Sequence, residues 1–88
     1  MKIPSFTTQF EKDMKLAEKQ GKNLIKIKAV MFDIICENPL PPSNKDHPLH
    51  GKYNSHRECH IEPDWLLIYL YKGDEVSFVR NGSHSELY

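Results

Sequence analysis

The feature that most constrains the fold is the apolar run WLLIYLY at residues 65–71, which lies between two short turn sequences. The dipeptide Pro-Asp precedes the run, Lys-Gly-Asp follows it, and residues 56–62 and 75–81 on either side have strand-like composition. Because such short turns join antiparallel neighbours, the three runs predict a meander. The middle run is apolar at nearly every position, which predicts a central strand covered by helices on one side.

Two amphipathic helices are predicted ahead of the meander. Thr8 followed by Glu11 has the pattern of a capping box, and apolar residues then recur at helical spacing up to Gly21, a residue type that commonly ends helices. Asn23 can cap a second helix, which ends before Pro39. The expected fold is therefore α+β, with an N-terminal αα-hairpin packed on a small antiparallel sheet of three to four strands.

The segment between the second helix and the meander is predicted to be irregular. Residues 38–43 contain three prolines, which favours a stiff extended connector and excludes a helix. Residues 44–54 follow as a polar loop. At the start of the chain, residues 2–6 can add a further strand beside the central one, although Pro4 disfavours it.

Length and composition limit the class of protein. A chain of 88 residues is expected to form one domain, residues 1–88. Such a domain buries only about 60–65% of its unfolded surface, so we expect no large cofactor. No apolar run approaches the ~18 residues that span a bilayer, so we expect a cytoplasmic protein without membrane contacts. The net charge is zero, so a strong general affinity for nucleic acid does not follow, and any RNA contact must be local.

All histidines lie in the second half of the chain, at His47, His50, His56, His60 and His84. An imidazole has an unperturbed pKa of about 6.5 and can therefore take or give a proton near neutrality. Strand alternation places His56, Glu58 and His60 on one face of the first meander strand and Cys59 on the other. We expect Cys59 to face the core and Glu58 to lie on an open polar face, where a carboxylate can orient an imidazole. A strand face that is simply exposed to solvent, with no catalytic role, would have the same pattern of polar residues.

Arg80 is the natural cation for such a site, but the sequence leaves its orientation open. Arg80 and His84 follow the third strand, whose end a meander can bring back toward the first strand. Strict alternation, however, places Arg80 on the side of Val76 and Phe78. Either the strand twists out of the core at this point, or Arg80 is partly buried in an ion pair.

Histidine, glutamate and arginine, without a serine nucleophile motif or a glycine-rich phosphate loop, are typical of metal-independent RNA cleavage. A base removes the 2′-hydroxyl proton, an acid protonates the leaving 5′-oxygen, and a cation stabilises the charge on the phosphate. Zinc binding is the competing interpretation, because His56, Glu58 and His60 could ligate one ion, as could His47 with His50. No CxxC or HExxH motif occurs, so we expect neither a metal site nor another cofactor.

Three blocks of the second half resemble the YafQ branch of the RelE-type bacterial toxins. They are KDHPLHG at residues 45–51, RECHIEPDWLLIY at 57–69 and VRNGSHSELY at 79–88. Residues 8–44 match mainly in pattern, as a lysine-rich helical hairpin with a proline-rich exit. The resemblance implies a RelE-like microbial ribonuclease fold and a ribosome-dependent endoribonuclease that cuts messenger RNA in the decoding site. It also implies a DinJ/RelB-like antitoxin that wraps the toxin in a hetero-oligomer, the free toxin being a monomer.

Carried over position by position, the resemblance implies catalytic roles for His47, His60, Asp64, Arg80 and His84. It implies RNA contacts for Glu58, Trp65 and Tyr88. It also implies that three lysines of the first helix, Lys12, Lys15 and Lys19, face ribosomal RNA. The family usually ends in phenylalanine where this chain has Tyr88, and a tyrosine ring can equally stack on a base. His50 and His56 match no catalytic position, so we expect them at the surface.

Two other functions stay open from the sequence. One is a non-catalytic RNA- or ribosome-binding regulator whose histidines only contact phosphate. The other is a small zinc-binding interaction domain. Cleavage products distinguish the nuclease from the regulator, and metal content distinguishes it from the zinc domain. The codon preference and the division of acid and base roles among the histidines do not follow from the sequence.

Overall fold

A five-stranded sheet with two longer helices on one face makes up the computed structural model, which describes all 88 residues. The elements are β1 (Ile3–Phe6), α1 (Thr8–Lys19), α2 (Leu24–Ile35), β2 (His47–Pro48), β3 (Arg57–Glu62), β4 (Trp65–Lys72), β5 (Glu75–Gly82) and α3 (His84–Leu87). The strand order is β1-β5-β4-β3-β2, so the α+β class and the central position of β4 are confirmed. A helix with the length and apolar character needed to cross a bilayer is absent.

The sheet is larger than the sequence predicted, and it is not wholly antiparallel. The meander of β3, β4 and β5 is confirmed. However, β2 lies inside the predicted polar loop and pairs antiparallel with β3. The strand β1 pairs in parallel with β5, at the edge of the sheet, and not with the central strand. The prediction of three to four antiparallel strands was therefore wrong. The two-residue strand β2, and the pairing of β1 with the distant strand β5, leave no local signal in the sequence.

The helix boundaries follow the predicted caps with one correction. Thr7, rather than Thr8, caps α1: its side chain accepts the amide N–H three residues later and donates to the Val79 carbonyl at 2.7 Å. This second bond fixes the start of α1 against β5. Gly21 follows the helix with a positive φ of 77°, and the side chain of Asn23 caps α2, as predicted.

The segment between α2 and β3 is more ordered than predicted. Pro42–Asn44, at the boundary between the predicted connector and the predicted loop, forms a 3₁₀ turn that starts with proline, where the missing N–H costs nothing. A second such turn, Gly51–Tyr53, follows β2. The Asn44 side chain donates to the carbonyl of His60 at 2.8 Å. This bond ties the segment to the end of β3.

Two apolar clusters lie on opposite faces of the sheet. The larger one, between the sheet and α1 and α2, includes Trp65, Leu67 and Tyr69 of β4. The smaller one consists of Tyr53, Leu66, Ile68 and Leu87. Alternate residues of β4 therefore enter different clusters, which explains why WLLIYLY is apolar along its whole length.

A bulge in β5 resets the alternation of its side chains. In the pairing with β4, Phe78 lies opposite Tyr69 and Arg80 lies opposite Ile68, so Val79 is an extra residue. Phe78 is buried under the helices. Arg80 shares the face of Ile68 instead, because the bulge shifts the strand by one residue. The strand therefore does leave the core before Arg80.

Candidate active site

A row of side chains crosses four strands on the face of the sheet opposite α1 and α2. His47 of β2 lies opposite Glu58 of β3, Glu58 opposite Ile68 of β4, and Ile68 opposite Arg80 of β5. Directly opposite residues project to the same face. Strands lie about 4.8 Å apart, which puts Glu58 and Arg80 about 10 Å from each other at their Cα atoms. His60, two residues along β3, points the same way.

Glu58 is the buried centre of this row, with only 6% of its side chain exposed. Its Oε2 accepts a hydrogen bond from the Tyr88 hydroxyl at 2.5 Å. Its Oε1 lies 3.6 Å from His60 Nε2 and 3.8 Å from His47 Nε2, longer than hydrogen bonds but close enough to attract either ring when it is protonated. The face was predicted to be open, and at Glu58 it is closed, because Tyr88 and the imidazoles fold over it.

Tyr88 contributes both a ring and a hydroxyl to the site. The ring packs edge-on against Tyr53, with 5.8 Å between the ring centroids. Burial, and next the bond to Glu58, raise the pKa of the Tyr88 hydroxyl, so the group remains a hydrogen-bond donor over the neutral range. More than half of the residue, 58%, is exposed. The ring can therefore meet a base while the hydroxyl holds Glu58.

Arg80 is held by the carboxylate of Asp13, which reaches it from α1 at the edge of the sheet. Its Nε donates to Asp13 Oδ2 at 2.8 Å and its Nη2 to Asp13 Oδ1 at 3.2 Å. The hydrogen bond to Asp13 is the main cause that raises the pKa of Arg80. Asp13 is buried on α1. Both alternatives for Arg80 thus apply, since it leaves the core at the bulge and also forms an ion pair.

Asp46 anchors the strand that carries His47. It accepts a hydrogen bond from the Tyr69 hydroxyl at 2.6 Å and pairs with the Arg57 guanidinium at 3.2 Å. The adjacent His47 Nδ1 lies 2.6 Å from the Lys45 carbonyl oxygen. A carbonyl only accepts, so Nδ1 carries the proton and the Nε2 of a neutral ring is a proton acceptor.

His84 and Asp64 form an exposed pair at the other end of the row. The His84 Nδ1 and backbone N–H lie 2.7 and 2.9 Å from Asp64 Oδ1. These hydrogen bonds, that of the amide first, lower the pKa of Asp64. The His60 ring lies between the other two imidazoles, 6.0 Å from His84 and 6.3 Å from His47 by centroids. Because Asp64 accepts from Nδ1, the Nε2 of a neutral His84 ring is also a proton acceptor.

The single turn of α3 places His84 beside Asp64. Ser83 and Glu86 form a capping box, in which each side chain bonds the backbone of the other. A Cβ atom at Gly82 would lie 3.0 Å from Glu86 Oε1 and 3.3 Å from Leu87 Cδ2, so any larger residue would have to displace these side chains. Leu87 is buried in the smaller cluster. The GSHSEL sequence therefore folds locally into a support for one histidine.

The structure brings together most of the predicted site residues, which are His47, Glu58, His60, Asp64, Arg80, His84 and Tyr88. Trp65 does not join them, because it is 0% exposed and its Nε1 donates to Asn81 Oδ1 at 3.2 Å in the core. The expectation that its ring faces RNA is wrong for this structure, since alternation along β4 turns it toward the helices. The other predicted RNA contacts, Lys12, Lys15 and Lys19, are exposed on α1, on the far side of the sheet.

Sequence reasoning missed Asp13. It follows Phe10 by three residues and precedes Ala17 by four, so it occupies the buried stripe of α1. An acidic residue on an apolar stripe signals a buried partner, because an unpaired charge there would be costly. Of the two histidines expected at the surface, His50 is exposed and His56 is partly buried, with Nδ1 3.0 Å from the Asn54 carbonyl oxygen.

Known proteins match this chain over nearly its whole length. A sequence profile described as "Bacterial toxin of type II toxin-antitoxin system, YafQ" matches residues 2–88. The mRNA interferase toxin YafQ of Escherichia coli K12 is 42% identical over 84 residues, which cover 94% of this chain and 91% of that protein. The crystal structure of the E. coli DinJ-YafQ complex contains a chain with a TM-score of 0.93 and 39% identity, covering 100% and 99% of the two chains. A metal-bound toxin from Helicobacter pylori has a TM-score of 0.94 and 41% identity, with 100% of both chains covered.

Proposed function

This chain belongs to the YafQ family of bacterial toxins of type II toxin-antitoxin systems, and we propose that it is an mRNA interferase that cuts messenger RNA on the ribosome. The observation that carries the proposal is the row formed by three imidazoles and one guanidinium about the buried carboxylate of Glu58. The similarity to the E. coli toxin, whose name states that activity, supports it.

The proposed reaction is attack of a ribose 2′-hydroxyl on the adjacent phosphate. One imidazole takes the 2′-proton, a second gives a proton to the departing 5′-oxygen, and Arg80 stabilises the charge on the phosphate oxygens. The bond from phosphorus to the 5′-oxygen breaks as the bond to the 2′-oxygen forms. His47 and His84 suit proton removal, since each has an Nδ1 that donates and an Nε2 that can accept. The protein supplies no nucleophile of its own.

Glu58 and Tyr88 organise this chemistry. The carboxylate lies beside both His47 and His60 and stabilises each ring when it carries the extra proton. The Tyr88 hydroxyl uses the second carboxylate oxygen, so Glu58 is held on both sides. The exposed part of the Tyr88 ring offers a flat face on which a base can stack.

The partners follow from the family. We propose that an antitoxin of the DinJ type binds this single-domain toxin, as DinJ binds YafQ in the E. coli complex. Lys12, Lys15 and Lys19 would meet ribosomal RNA, which explains how a chain with zero net charge acts on RNA. RNA that is already held in the ribosome does not need to be captured by a strongly positive toxin.

Metal independence is part of the proposal. No group of three or more His, Cys, Asp or Glu side chains is arranged to hold a metal ion. The H. pylori relative was nevertheless solved as a metal-bound toxin. Cleavage by protein treated with a chelator should therefore match cleavage by untreated protein, and restoration of a lost activity by zinc or copper would refute metal independence.

Purified toxin should cut messenger RNA on ribosomes and leave a 2′,3′-cyclic phosphate and a 5′-hydroxyl. Mass spectrometry identifies both new RNA ends. Ligation tests with enzymes that require a particular end chemistry confirm the assignment. Ribosome binding without any cleavage would favour the non-catalytic regulator. Products with 5′-phosphates would exclude the RNA hydroxyl as nucleophile.

A further inference from the structure

We propose that Asp13 is a positioning residue for this reaction, which holds the Arg80 guanidinium in the orientation that receives the phosphate. The proposal rests on the proposed ribonuclease function. Nothing in the three sequence blocks that resemble the toxin family points to Asp13, which lies on α1, far along the chain from every other site residue. Its role follows from how α1 meets the edge of β5.

Side chains at the start of α1 form hydrogen bonds with the edge of β5 beyond the point where β1 stops pairing with it. The parallel pairing of β1 ends opposite Phe78. Beyond it, the Thr7 side chain donates to the Val79 carbonyl at 2.7 Å. Six residues further along the chain, Asp13 Oδ2 accepts the backbone N–H of Asn81 at 3.1 Å. The carboxylate thus satisfies an edge N–H that a neighbouring strand would otherwise have bonded.

Both oxygens of Asp13 are fully engaged. Oδ2 accepts from Arg80 Nε at 2.8 Å and from the Asn81 amide at 3.1 Å. Oδ1 accepts from Arg80 Nη2 at 3.2 Å and from Gln9 Nε2, also at 3.2 Å. Two parallel bonds fix the plane of a guanidinium, which one bond would not. The N–H groups of Arg80 that Asp13 does not bind can donate to a phosphate, in competition with the nearby Tyr53 hydroxyl.

Packing alone does not hold Arg80 in this place. A cavity of about 240 Å³ lies beside the pair and is lined by Gln9, Asp13, Arg80 and Asn81 among others. The Arg80 side chain keeps 22% of its surface exposed. A long side chain that borders open space has several rotamers available. The buried carboxylate is therefore what selects one of them.

Removal of the Asp13 carboxylate should slow the chemical step and leave binding to the ribosome unchanged. Arg80→Ala loses the cation itself, which costs on the order of 10²–10³ in rate. Asp13→Ala keeps the cation but frees its position, and misplacement by about 1 Å can cost up to 10²-fold. We expect Asp13→Ala to lose about 10- to 100-fold in single-turnover cleavage. Asp13→Asn should lose less, because its carbonyl oxygen still accepts one bond.

A double-mutant cycle tests whether Asp13 acts through Arg80. Single-turnover cleavage and ribosome affinity are measured for wild type, Asp13→Ala, Asp13→Asn, Arg80→Ala and the Asp13→Ala/Arg80→Ala pair. If Asp13 positions Arg80, its removal should slow the wild type but change the Arg80→Ala protein by less than about twofold. An equal loss in both backgrounds would overturn the proposal. Glu11→Gln, an exposed carboxylate on the same helix, is the matched control and should have wild-type rates.

The other outcomes separate this inference from the proposed function. If Arg80→Ala is slow and Asp13→Ala cuts at the wild-type rate, only the role of Asp13 falls. If wild type does not cut, or Arg80→Ala cuts normally, the proposed chemistry falls and the role of Asp13 falls with it. Melting curves on the same samples show which proteins are folded, and Asp13→Asn replaces Asp13→Ala in the cycle if the alanine variant is not.

Discussion

Two carboxylates of the site hold histidines in opposite ways. Glu58 is buried and lies 3.6 Å from His60 Nε2, whereas Asp64 is 68% exposed and lies only 2.7 Å from His84 Nδ1. The shorter contact is not the stronger support. Water screens charges at an exposed pair, and a buried pair keeps most of its attraction even at a longer distance. Burial, more than distance, therefore decides which carboxylate controls its histidine.

The site has a sheet half around Glu58 and a helical half around Asp64 and His84, and the two halves also differ in how the fold holds them. The position of Glu58 depends on the pairing of β2, β3 and β4 and on the Tyr88 hydroxyl. His84 is held by a single helical turn and by hydrogen bonds to Asp64. We therefore expect the sheet half to respond strongly to small chemical changes and the helical half to tolerate them.

The largest effects should come from the histidines themselves. His60→Ala and His84→Ala should each reduce single-turnover cleavage on ribosomes by about 10²–10⁴, the usual cost of losing a general acid or base. Ribosome binding should change little. His50→Ala and His56→Ala are the matched controls and should cut at nearly the wild-type rate. Full activity with both His60 and His84 replaced would show that neither carries a proton.

The carboxylates should separate the two halves more sharply. Glu58→Gln keeps the shape but removes a buried charge, and we expect a loss on the order of 10² in rate, the lower end of the range for proton transfer. Asp64→Asn removes a screened charge, so we expect no more than about a fivefold loss. Equal losses in the two variants, measured in the same cleavage assay, would contradict the ranking by burial.

Trp65→Phe should affect stability and not chemistry. The substitution removes the N–H that Asn81 Oδ1 accepts and leaves a cavity, which together cost about 2 kcal/mol or more. For a domain of this size that lowers the melting temperature by about 10 °C. Cleavage per folded molecule should remain within about twofold of wild type. A tenfold slower but equally stable variant would place Trp65 at the RNA after all.

The smallest effect concerns the pH dependence of stability. The hydrogen bonds from His84 lower the pKa of Asp64 in the folded protein, while in the unfolded chain it stays near its ordinary value of about 3.9. The contribution of Asp64 to stability is therefore present above the unfolded pKa and is lost as pH falls through the lower, folded pKa. Urea midpoints of wild type and Asp64→Asn should differ near about pH 6, and the difference should shrink as pH falls below the unfolded pKa of about 3.9. A constant difference would contradict this linkage.

Local patterns in the sequence were enough to predict the elements that depend on neighbours along the chain. Apolar runs bounded by short turns identified β3, β4 and β5, and Gly21 and Asn23 marked the helix boundaries. Turns and caps are encoded within a few residues, because their hydrogen bonds join near neighbours. Most residues of the candidate site were indicated instead by the family resemblance of the blocks around His60 and His84.

Contacts between distant parts of the chain decided the rest. A bulge formed against β4 turns Arg80 out of the core, and the carboxylate that holds it, Asp13, lies 67 residues away in the sequence. The closure of the site over Glu58 depends on Tyr88, 30 residues away. The pairing of β2 and of β1 likewise has no local signature. These features arise only when the sheet assembles, since strand register and burial are properties of the packed molecule and not of any short segment.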